Sequence, residues 1–365
     1  MRIFVGEYVC GGGLLQHSID TLPITLRREG FAMMSALVED LAEFADIVLP
    51  IDQRIALNQF GMNRSKIEFL SSDQVEYRPL ANAEFFLEEW LAAASTCDTA
   101  IIIAPETDST LRHLLQAFRT QSIPVFAPTD EFVRIASDKL LTAERLLSAN
   151  VPHPPTWIRP QIENPMGTSQ KVIDSSVAKF LLHGDSGGSV VIKPRDGCGS
   201  EGIHIISRDA LASREISDQE ILQSQVHGMS ISASIIATRN GIDFLPAVTQ
   251  ELDPESHEYL GGKGPLNPEY QQRARQLVEK VIDAMPTLTA GYVGIDLLLG
   301  QTPKEDVVIE INPRLTTSYV GLRKMVDGNL AKRFFNLESS SINYGSVEHS
   351  VAWESGGHIR KQTRR

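Results

Sequence analysis

Two apolar segments near the end of the chain decide the fold: Gly-Tyr-Val-Gly-Ile-Asp-Leu-Leu-Leu (residues 291–299) and Val-Val-Ile-Glu-Ile-Asn-Pro-Arg (residues 307–314). Their β-branched and aliphatic runs, separated by a short polar stretch, predict two neighbouring strands. Because side chains alternate between the two faces of a strand, Glu310 and Asn312 project to the same side. If the strands pair in antiparallel fashion, Asp296 can lie opposite them.

These three side chains offer two carboxylates and an amide oxygen, which are the ligands that Mg²⁺ prefers in proteins. Mn²⁺ accepts the same oxygen ligands. Arg314 follows the second strand, where its guanidinium could meet a phosphoryl group or an oxyanion. The alternative places the acids on the solvated face of an edge strand. The apolar neighbours argue against that alternative.

A second pattern is a lysine that ends an apolar run and precedes glycines, Val-Val-Ile-Lys-Pro-Arg-Asp-Gly-Cys-Gly-Ser-Glu-Gly-Ile (residues 190–203). Gly197, Gly199 and Gly202 bracket Ser200. Such a loop can direct backbone N–H groups at phosphates, with Lys193 as a point charge. It is not a Walker loop, because no Gly-Lys-Ser/Thr opens a helix. Taken alone, an ordinary glycine-rich hairpin explains it equally well.

The order of the patterns is more specific than any one of them. Ser-Asp-Lys (137–139) is followed by Ile-Lys-Pro, then Leu-Gln-Ser-Gln-Val-His-Gly (222–228), then Gly-Ile-Asp and Glu-Ile-Asn-Pro-Arg. This series, over residues 137–314, resembles the ATP-grasp ligases. The resemblance implies an α/β protein, with an N-terminal parallel α/β domain and two α+β subdomains that clasp ATP. It also implies an ATP-dependent carboxylate–amine ligase that works through an acyl phosphate.

The resemblance also assigns roles to residues. Lys139 and Lys193 would contact the phosphates, the 197–202 loop would fold over them, and Gln223–Val226 would be the hinge that reads adenine. Arg314 would stabilise the acyl phosphate or the tetrahedral intermediate. Two positions depart from the pattern, since Ser224 replaces a common glutamate and Ser230 replaces the acid that often holds ribose. The implied nucleotide-binding residues are Lys139, Lys193, Gly197, Gly199, Ser200, Gly202, Gln223, Gln225, Val226 and Ser230; the metal ligands are Asp296, Glu310 and Asn312; the catalytic residues are Arg314 and Lys193.

Two further segments narrow the resemblance: Phe-Val-Gly-Glu-Tyr-Val-Cys-Gly-Gly-Gly-Leu (residues 4–14) and Asn-Pro-Arg-Leu-Thr-Thr-Ser-Tyr-Val-Gly-Leu (312–322). They are similar to the tyramine–L-glutamate ligase group of methanofuran-type cofactor biosynthesis. The substrate contacts expected from this likeness are Glu7, Tyr8, Gly12, Gly13 and Tyr319. The glycines are equally explained as a turn that needs their backbone freedom. Residues 257–265 resemble the substrate-side loop of the family, and an ordinary surface turn explains them equally well.

The pattern of apolar residues divides the chain into four parts. Residues 1–128 alternate strand and helix patterns, which predicts a parallel sheet with expected strands at Ile3–Val9, Asp46–Pro50, Thr99–Ala104 and Pro124–Phe126. Residues 129–226 should form the small ATP-grasp subdomain, beginning with one helix from Glu131 to Ala149. Residues 227–338 should form the large subdomain that carries the metal site. Residues 339–365 are polar and predict a loosely ordered tail.

Composition excludes several kinds of partner. The formal net charge of −12 is unlike that of proteins that bind nucleic acid or anionic membranes. The three cysteines form no Cys-x-x-Cys pair, which indicates reduced thiols and a cytoplasmic protein. The expected partners are a small carboxylate and an amine. The sequence does not decide between a monomer and a homodimer. The alternatives are an ATP-grasp amino-acid or dipeptide ligase with other substrates and a nucleotide-binding protein without catalysis.

Overall fold

The amino-terminal unit is built on a parallel sheet. The computed structural model describes residues 1–56, 72–158, 189–197, 202–211, 214, 216–345 and 350–360. Strands β1–β4 are Arg2–Glu7, Asp46–Asp52, Val75–Leu80 and Thr99–Ile103, in the order β3-β2-β1-β4. Helices α1–α6 are Ile24–Leu41, Gln53–Ala56, Phe86–Ala94, Thr110–Thr120, Asp130–Ala136 and Lys139–Ser148. Every pairing in this sheet is parallel, as the sequence predicted.

Three details of this unit differ from the expectation. The predicted strand at Pro124–Phe126 is a single bridge, between Val125 and Ala100. Strand β3 was missed, because only its end residues are buried and the apolar pattern is weak. The expected helix over 131–149 is two helices, because the carboxylate of Asp138 accepts the N–H groups of Leu140 and Leu141 and so begins a new helix.

A small antiparallel sheet follows. Strands β5–β8 are Thr156–Trp157, Ser189–Pro194, His204–Ser207 and Glu220–Ser224, in the order β5-β8-β6-β7. A short helix, α7, is Arg208–Leu211. Lys193 and the start of the hinge therefore lie on two adjacent strands, β6 and β8, where Lys193 pairs with Ile221.

A larger antiparallel sheet carries the predicted metal ligands. Strands β9–β16 are Met229–Thr238, Gly241–Phe244, Val248–Leu252, Tyr259–Gly264, Gly291–Leu299, Val307–Asn312, Val351–Glu354 and Ile359–Arg360. Helices α8–α10 are Pro268–Ala284, Tyr319–Met325 and Leu330–Phe334. Single-turn 3₁₀ helices are Ile19–Thr21, Ala83–Phe85, Thr107–Ser109 and Pro303–Glu305. Strands β13 and β14 pair in antiparallel fashion, which is the condition under which Asp296 was expected to lie opposite Glu310 and Asn312.

The amino-terminal unit and the large sheet share one hydrophobic core. Buried residues of β1 and α1 pack with those of α9, α10 and β15. Polar contacts lock the same junction, since Asp40 of α1 accepts a hydrogen bond from Tyr319 at 2.5 Å and pairs with Arg323. This packing sets the carboxyl ends of β1 and β4 beside the end of β14, where Arg314 emerges.

The expected loose tail is wrong for residues 350–360. Strand β15 pairs with β12 in the large sheet, and β16 pairs with β15. Trp353 is fully buried and its indole N–H donates to the Tyr259 hydroxyl at 2.9 Å. Gly321 and Gly262 leave room for the indole, because a Cβ at either position would lie 2.0 Å and 2.6 Å from it. Among the described helices, none is long and apolar enough to cross a membrane.

We expect Trp353→Ala to destabilise the protein by about 3–5 kcal/mol, because it leaves a large cavity in the shared core. Chemical denaturation followed by circular dichroism measures the loss. Leu337→Ala is the control, since that side chain is 57% exposed and its removal should change stability by about 0.5 kcal/mol or less. Equal stability of the two variants would show that β15 is not part of the core.

Candidate active site

One cavity joins the three sheets. It encloses about 690 Å³ and is lined by residues from the small sheet, the large sheet and the amino-terminal unit. Many of the predicted site residues line it: Glu7, Lys193, Gln223, Gln225, Val226, Ser230, Asp296, Glu310, Asn312 and Arg314. These residues are spread over some 300 positions of sequence, so their convergence is produced by the fold.

The acidic side chains of β13 and β14 face each other. Asp296 is paired with Glu310 across β13 and β14, and Asn312 lies two pairs further along on the same face, opposite Gly294. Asn312 Nδ2 donates to Asp296 Oδ2 at 3.0 Å, which leaves the Asn312 Oδ1 free to face a cation. Gln250 Nε2 donates to the other oxygen of Asp296 at 2.7 Å.

Two lysines face the acids. Lys139 Nζ lies 3.1 Å from Glu310 Oε1 and also donates to the Gly197 carbonyl. Lys193 is 4% exposed. Burial lowers the pKa of Lys193 to about 8, although Glu310 opposes that shift. Burial would raise the pKa of Glu310, but Lys139 and Lys193 hold it below its ordinary range. Cations and acids are thus packed in one buried cluster.

The pKa of Asp296 is shifted in the opposite direction from that of Glu310. Burial and the neighbouring Glu310 raise the pKa of Asp296 to about 7, against the hydrogen bonds from Ser232, Asn312 and Gln250. Two carboxylates confined together with too little positive charge would gain from a bound cation. Among the described residues there is no group of three or more His, Cys, Asp and Glu side chains suited to a metal. A metal here depends on the Asn312 amide as its third protein ligand.

The local structure explains why Lys139 reaches the cluster. Asp138 caps α6 and binds the Arg195 guanidinium at 2.5 Å, while the Lys139 N–H donates to the Arg195 carbonyl at 2.8 Å. These contacts tie the start of α6 to the end of β6. Lys139 is therefore the first residue of a helix and buried, rather than a solvated residue within one.

The hinge lies at one end of the cavity. The N–H groups of Ser224 and Gln225 donate to the carbonyls of Pro155 and Ser189, both at 3.1 Å. The Gln223 amide donates to Thr156 at 2.8 Å, so its side chain holds the sheet together. Ser230 donates to the Gln250 oxygen at 2.9 Å and lines the cavity.

Arg314 also lines the cavity. Its Nε and Nη2 atoms lie 2.9 Å and 3.0 Å from the two carboxylate oxygens of Glu106. Glu106 was not identified from the sequence. Its position just beyond β4 could have identified it, because ligands bind beyond the carboxyl ends of the strands in parallel sheets.

The structure separates the predicted substrate residues. Glu7 lines the cavity, and burial raises its pKa although the Cys10 N–H donates to Glu7 Oε2 at 2.7 Å. Tyr8 packs edge-on against Phe86, with ring centroids 5.7 Å apart. A Cβ on Gly12 would meet Leu80 and one on Gly13 would meet the Tyr8 ring. Both glycines therefore shape the loop, and the φ of +100° at Gly12 supports the turn explanation.

The expectation that Tyr319 contacts the substrate is wrong. Its side chain is fully buried and its hydroxyl binds Asp40, so the ring does not face the cavity. The neighbouring residues Thr316–Ser318 line the cavity instead. The 257–265 segment is mostly strand β12, with Ser256–Tyr259 in the cavity wall.

Glu29 is the clearest residue that sequence reasoning missed. It lines the cavity from α1, and burial raises its pKa to about 7, a shift that Arg314 opposes and Glu258 strengthens. Its signal was present in the sequence. Glu29 lies on the helical stripe that continues into Met33 and Leu37, where a charged residue is unexpected. Of the predicted phosphate loop, Gly199 and Ser200 lie outside the described residues, and Gly202 has a φ of +72°.

A family model described as the ATP-grasp domain matches residues 136–318. The chain belongs to this family. The match covers the lysines, the hinge, the acid pair and Arg314, which confirms the family and the fold that the order of motifs implied.

Two curated relatives come from Methanocaldococcus jannaschii. The chain is 22% identical to a tyramine–L-glutamate ligase over 81% of this chain and 79% of the relative. It is 24% identical to a tetrahydromethanopterin:α-L-glutamate ligase over 69% of this chain and 82% of the relative. The fold is similar to the crystal structure of an ATP-grasp superfamily protein from Archaeoglobus fulgidus, with a TM-score of 0.65, 19% identity, and coverage of 96% of this chain and 91% of that one.

Proposed function

We propose that this protein is an ATP-dependent ligase that activates a carboxylate as an acyl phosphate and transfers the acyl group to an amine. The observation that carries the proposal is one cavity lined by the buried Lys193, the paired acids Asp296 and Glu310, Arg314 and further carboxylates. The family membership supports ATP as the phosphoryl donor.

The nucleotide binds between the small and large sheets. Val191, Ile205 and Leu298 supply apolar walls for the adenine. Since the Ser224 and Gln225 N–H groups are used within the protein, the Val226 N–H is the hinge donor for the adenine edge. Lys139 and Lys193 bind the phosphates.

Asp296, Glu310 and Asn312 would hold Mg²⁺, with Mn²⁺ as a substitute. The oxygen donors fit a hard cation, and a cation between Asp296 and Glu310 would offset the repulsion between these two facing carboxylates. When bound there, Mg²⁺ supplies positive charge that offsets the charge on the phosphate oxygens.

The protein then contributes position and charge in two steps. The carboxylate oxygen attacks the γ-phosphorus as the bond to ADP breaks, and Lys193 reduces the repulsion between the two anions. A neutral amine next attacks the acyl carbon, phosphate leaves with the electrons of the carbon–oxygen bond, and the proton lost from the nitrogen goes to the departing phosphate or to water. Arg314, held by Glu106, stabilises the negative charge of the tetrahedral intermediate. Closing of the active site around the acyl phosphate protects this intermediate from water.

We propose L-glutamate and tyramine, or a close arylalkylamine, as the substrates, in methanofuran-type cofactor biosynthesis. The support is the similarity to the M. jannaschii ligase and a cavity that combines carboxylates with apolar walls. Another carboxylate–amine pair on the same scaffold is the main alternative. A nucleotide-binding protein without catalysis is less well supported, because the lysines and the acids proposed to bind phosphate and metal lie in one cluster.

Omission of each substrate in turn tests this proposal. We expect ADP release to require ATP, Mg²⁺, glutamate and tyramine together, with mass detection of the amide. Release that needs glutamate but is indifferent to tyramine would keep the ligase and reject the amine. ADP release without any acceptor, or none with a panel of carboxylates and amines, would reject the ligase.

A further inference from the structure

One face of α1 forms a wall of the cavity. Thr25, Leu26, Glu29, Gly30 and Met33 all line it. Their spacing of three and four residues puts them on a single helical face. This face offers a carboxylate with apolar side chains before and after it. Such a surface matches a molecule with a cationic head and an apolar body.

The charges around this face are predominantly negative. Arg314 is paired with Glu106 through Nε at 2.9 Å and Nη2 at 3.0 Å, so part of its charge is offset. Glu7, Glu29 and Glu258 line the same end of the cavity. Glu7 is occupied by the Cys10 N–H, and Gly30 leaves room for it, because a Cβ there would lie 2.9 Å from either Glu7 oxygen.

Glu29 is the carboxylate best placed to receive a ligand. The Thr317 hydroxyl and the charge of Arg314 favour its ionised form, but burial and Glu258 outweigh them and raise its pKa to about 7. Besides Arg314, the basic side chains among the described residues of the cavity wall are Lys193 and His257. An arriving ammonium group would favour the ionised carboxylate and would itself be stabilised.

We propose that Glu29 anchors the ammonium group of the acceptor and takes up the proton that this group loses before it attacks, and that the acceptor is a primary amine with an apolar body and no carboxylate beside its amino group. Leu26 and Met33 contact the apolar body. This inference rests on the proposed function and specifies its amine. An amino acid would bring a second anion towards Glu7 and Glu258 while Arg314 is held by Glu106, so it is disfavoured.

The test compares tyramine with tyrosine, which differ only by the α-carboxylate, and each with hydroxylamine, which is largely uncharged at neutral pH. We expect the wild-type protein to use tyramine and to discriminate against tyrosine. Glu29→Gln should raise the KM for tyramine by about 10- to 100-fold, the loss expected for a charge-assisted hydrogen bond. Hydroxylamine-dependent ADP release should change much less.

Glu39→Gln is the matched control. It removes the same charge from α1 about 15 Å further along the helix, where Glu39 pairs with Arg323 at 2.8 Å away from the cavity wall. It should leave the tyramine KM unchanged. An unchanged tyramine KM in Glu29→Gln, an equal loss with hydroxylamine, or equal use of tyrosine and tyramine by the wild type would overturn the inference.

Failure of the proposed function gives a different result. In that case the wild-type protein releases no ADP with glutamate and hydroxylamine. Calorimetric titration with tyramine and with tyrosine then decides the role of Glu29 without catalysis. Tighter binding of tyramine that is lost in Glu29→Gln supports the anchor. Equal binding of the two compounds, or equal binding by wild type and variant, overturns it.

Discussion

Replacing Glu310 by Gln, or Asp296 by Asn, is expected to lower kcat/KM for ATP on the order of 10³-fold, because each change removes an anionic ligand from the metal site. The amide keeps the size of the side chain, so the packing between β13 and β14 should survive. Steady-state ADP release over a range of Mg²⁺ concentrations measures the effect. The loss should be largest at low Mg²⁺.

Asp283→Asn is the control, since it makes the same chemical change on the exposed face of α8. Circular dichroism of all three variants checks that the fold is retained. Near-normal activity of either acid variant at low Mg²⁺ would show that the metal site is wrongly assigned.

Replacing Lys193 by Met is expected to lower kcat on the order of 10²-fold and to raise the KM for ATP. Lys193 is buried beside Glu310, so its charge acts on the phosphates with little screening by water. It therefore serves both binding and phosphoryl transfer. Lys139 lies at the edge of the same cluster, so Lys139→Met should act mainly on nucleotide affinity.

Initial rates at varied ATP separate these two effects. Lys280→Met is the control, because Lys280 is exposed on α8. Wild-type kinetics in the Lys193 variant would reject the assignment of this lysine to the phosphates.

The strands that carry the chemistry were predictable from sequence. Both Ser189–Pro194 and Gly291–Leu299 have the bounds that their apolar runs indicated. The acid pair followed from the alternation of faces once antiparallel pairing was assumed. Such features depend on local pattern, so one chain is enough to find them.

Contacts between distant segments were not predictable in this way. The Arg314–Glu106 ion pair joins residues 208 positions apart, and it depends on how α1 packs against α9 and α10. The same packing buries Tyr319, which the linear sequence left free to face a substrate. Trp353 lies in a polar stretch, so its place in the core came from pairing with β12 rather than from any periodicity.

Glu29 was only partly predictable from the sequence. Its position on the apolar stripe of α1 was visible in the sequence, but a lone carboxylate on such a stripe is also compatible with an internal ion pair. The structure distinguishes a ligand anchor from a structural residue, because it shows that Glu29 lines the cavity.

Transfer of oxygen-18 from labelled glutamate to phosphate shows whether the substrate carboxylate becomes an acyl phosphate before the amide forms. Tyramine is the acceptor, and the released phosphate is analysed by mass spectrometry. We expect one labelled oxygen in the phosphate for each amide formed, because the carboxylate oxygen that attacks phosphorus leaves with it. Amide formation with unlabelled phosphate would show that no acyl phosphate forms.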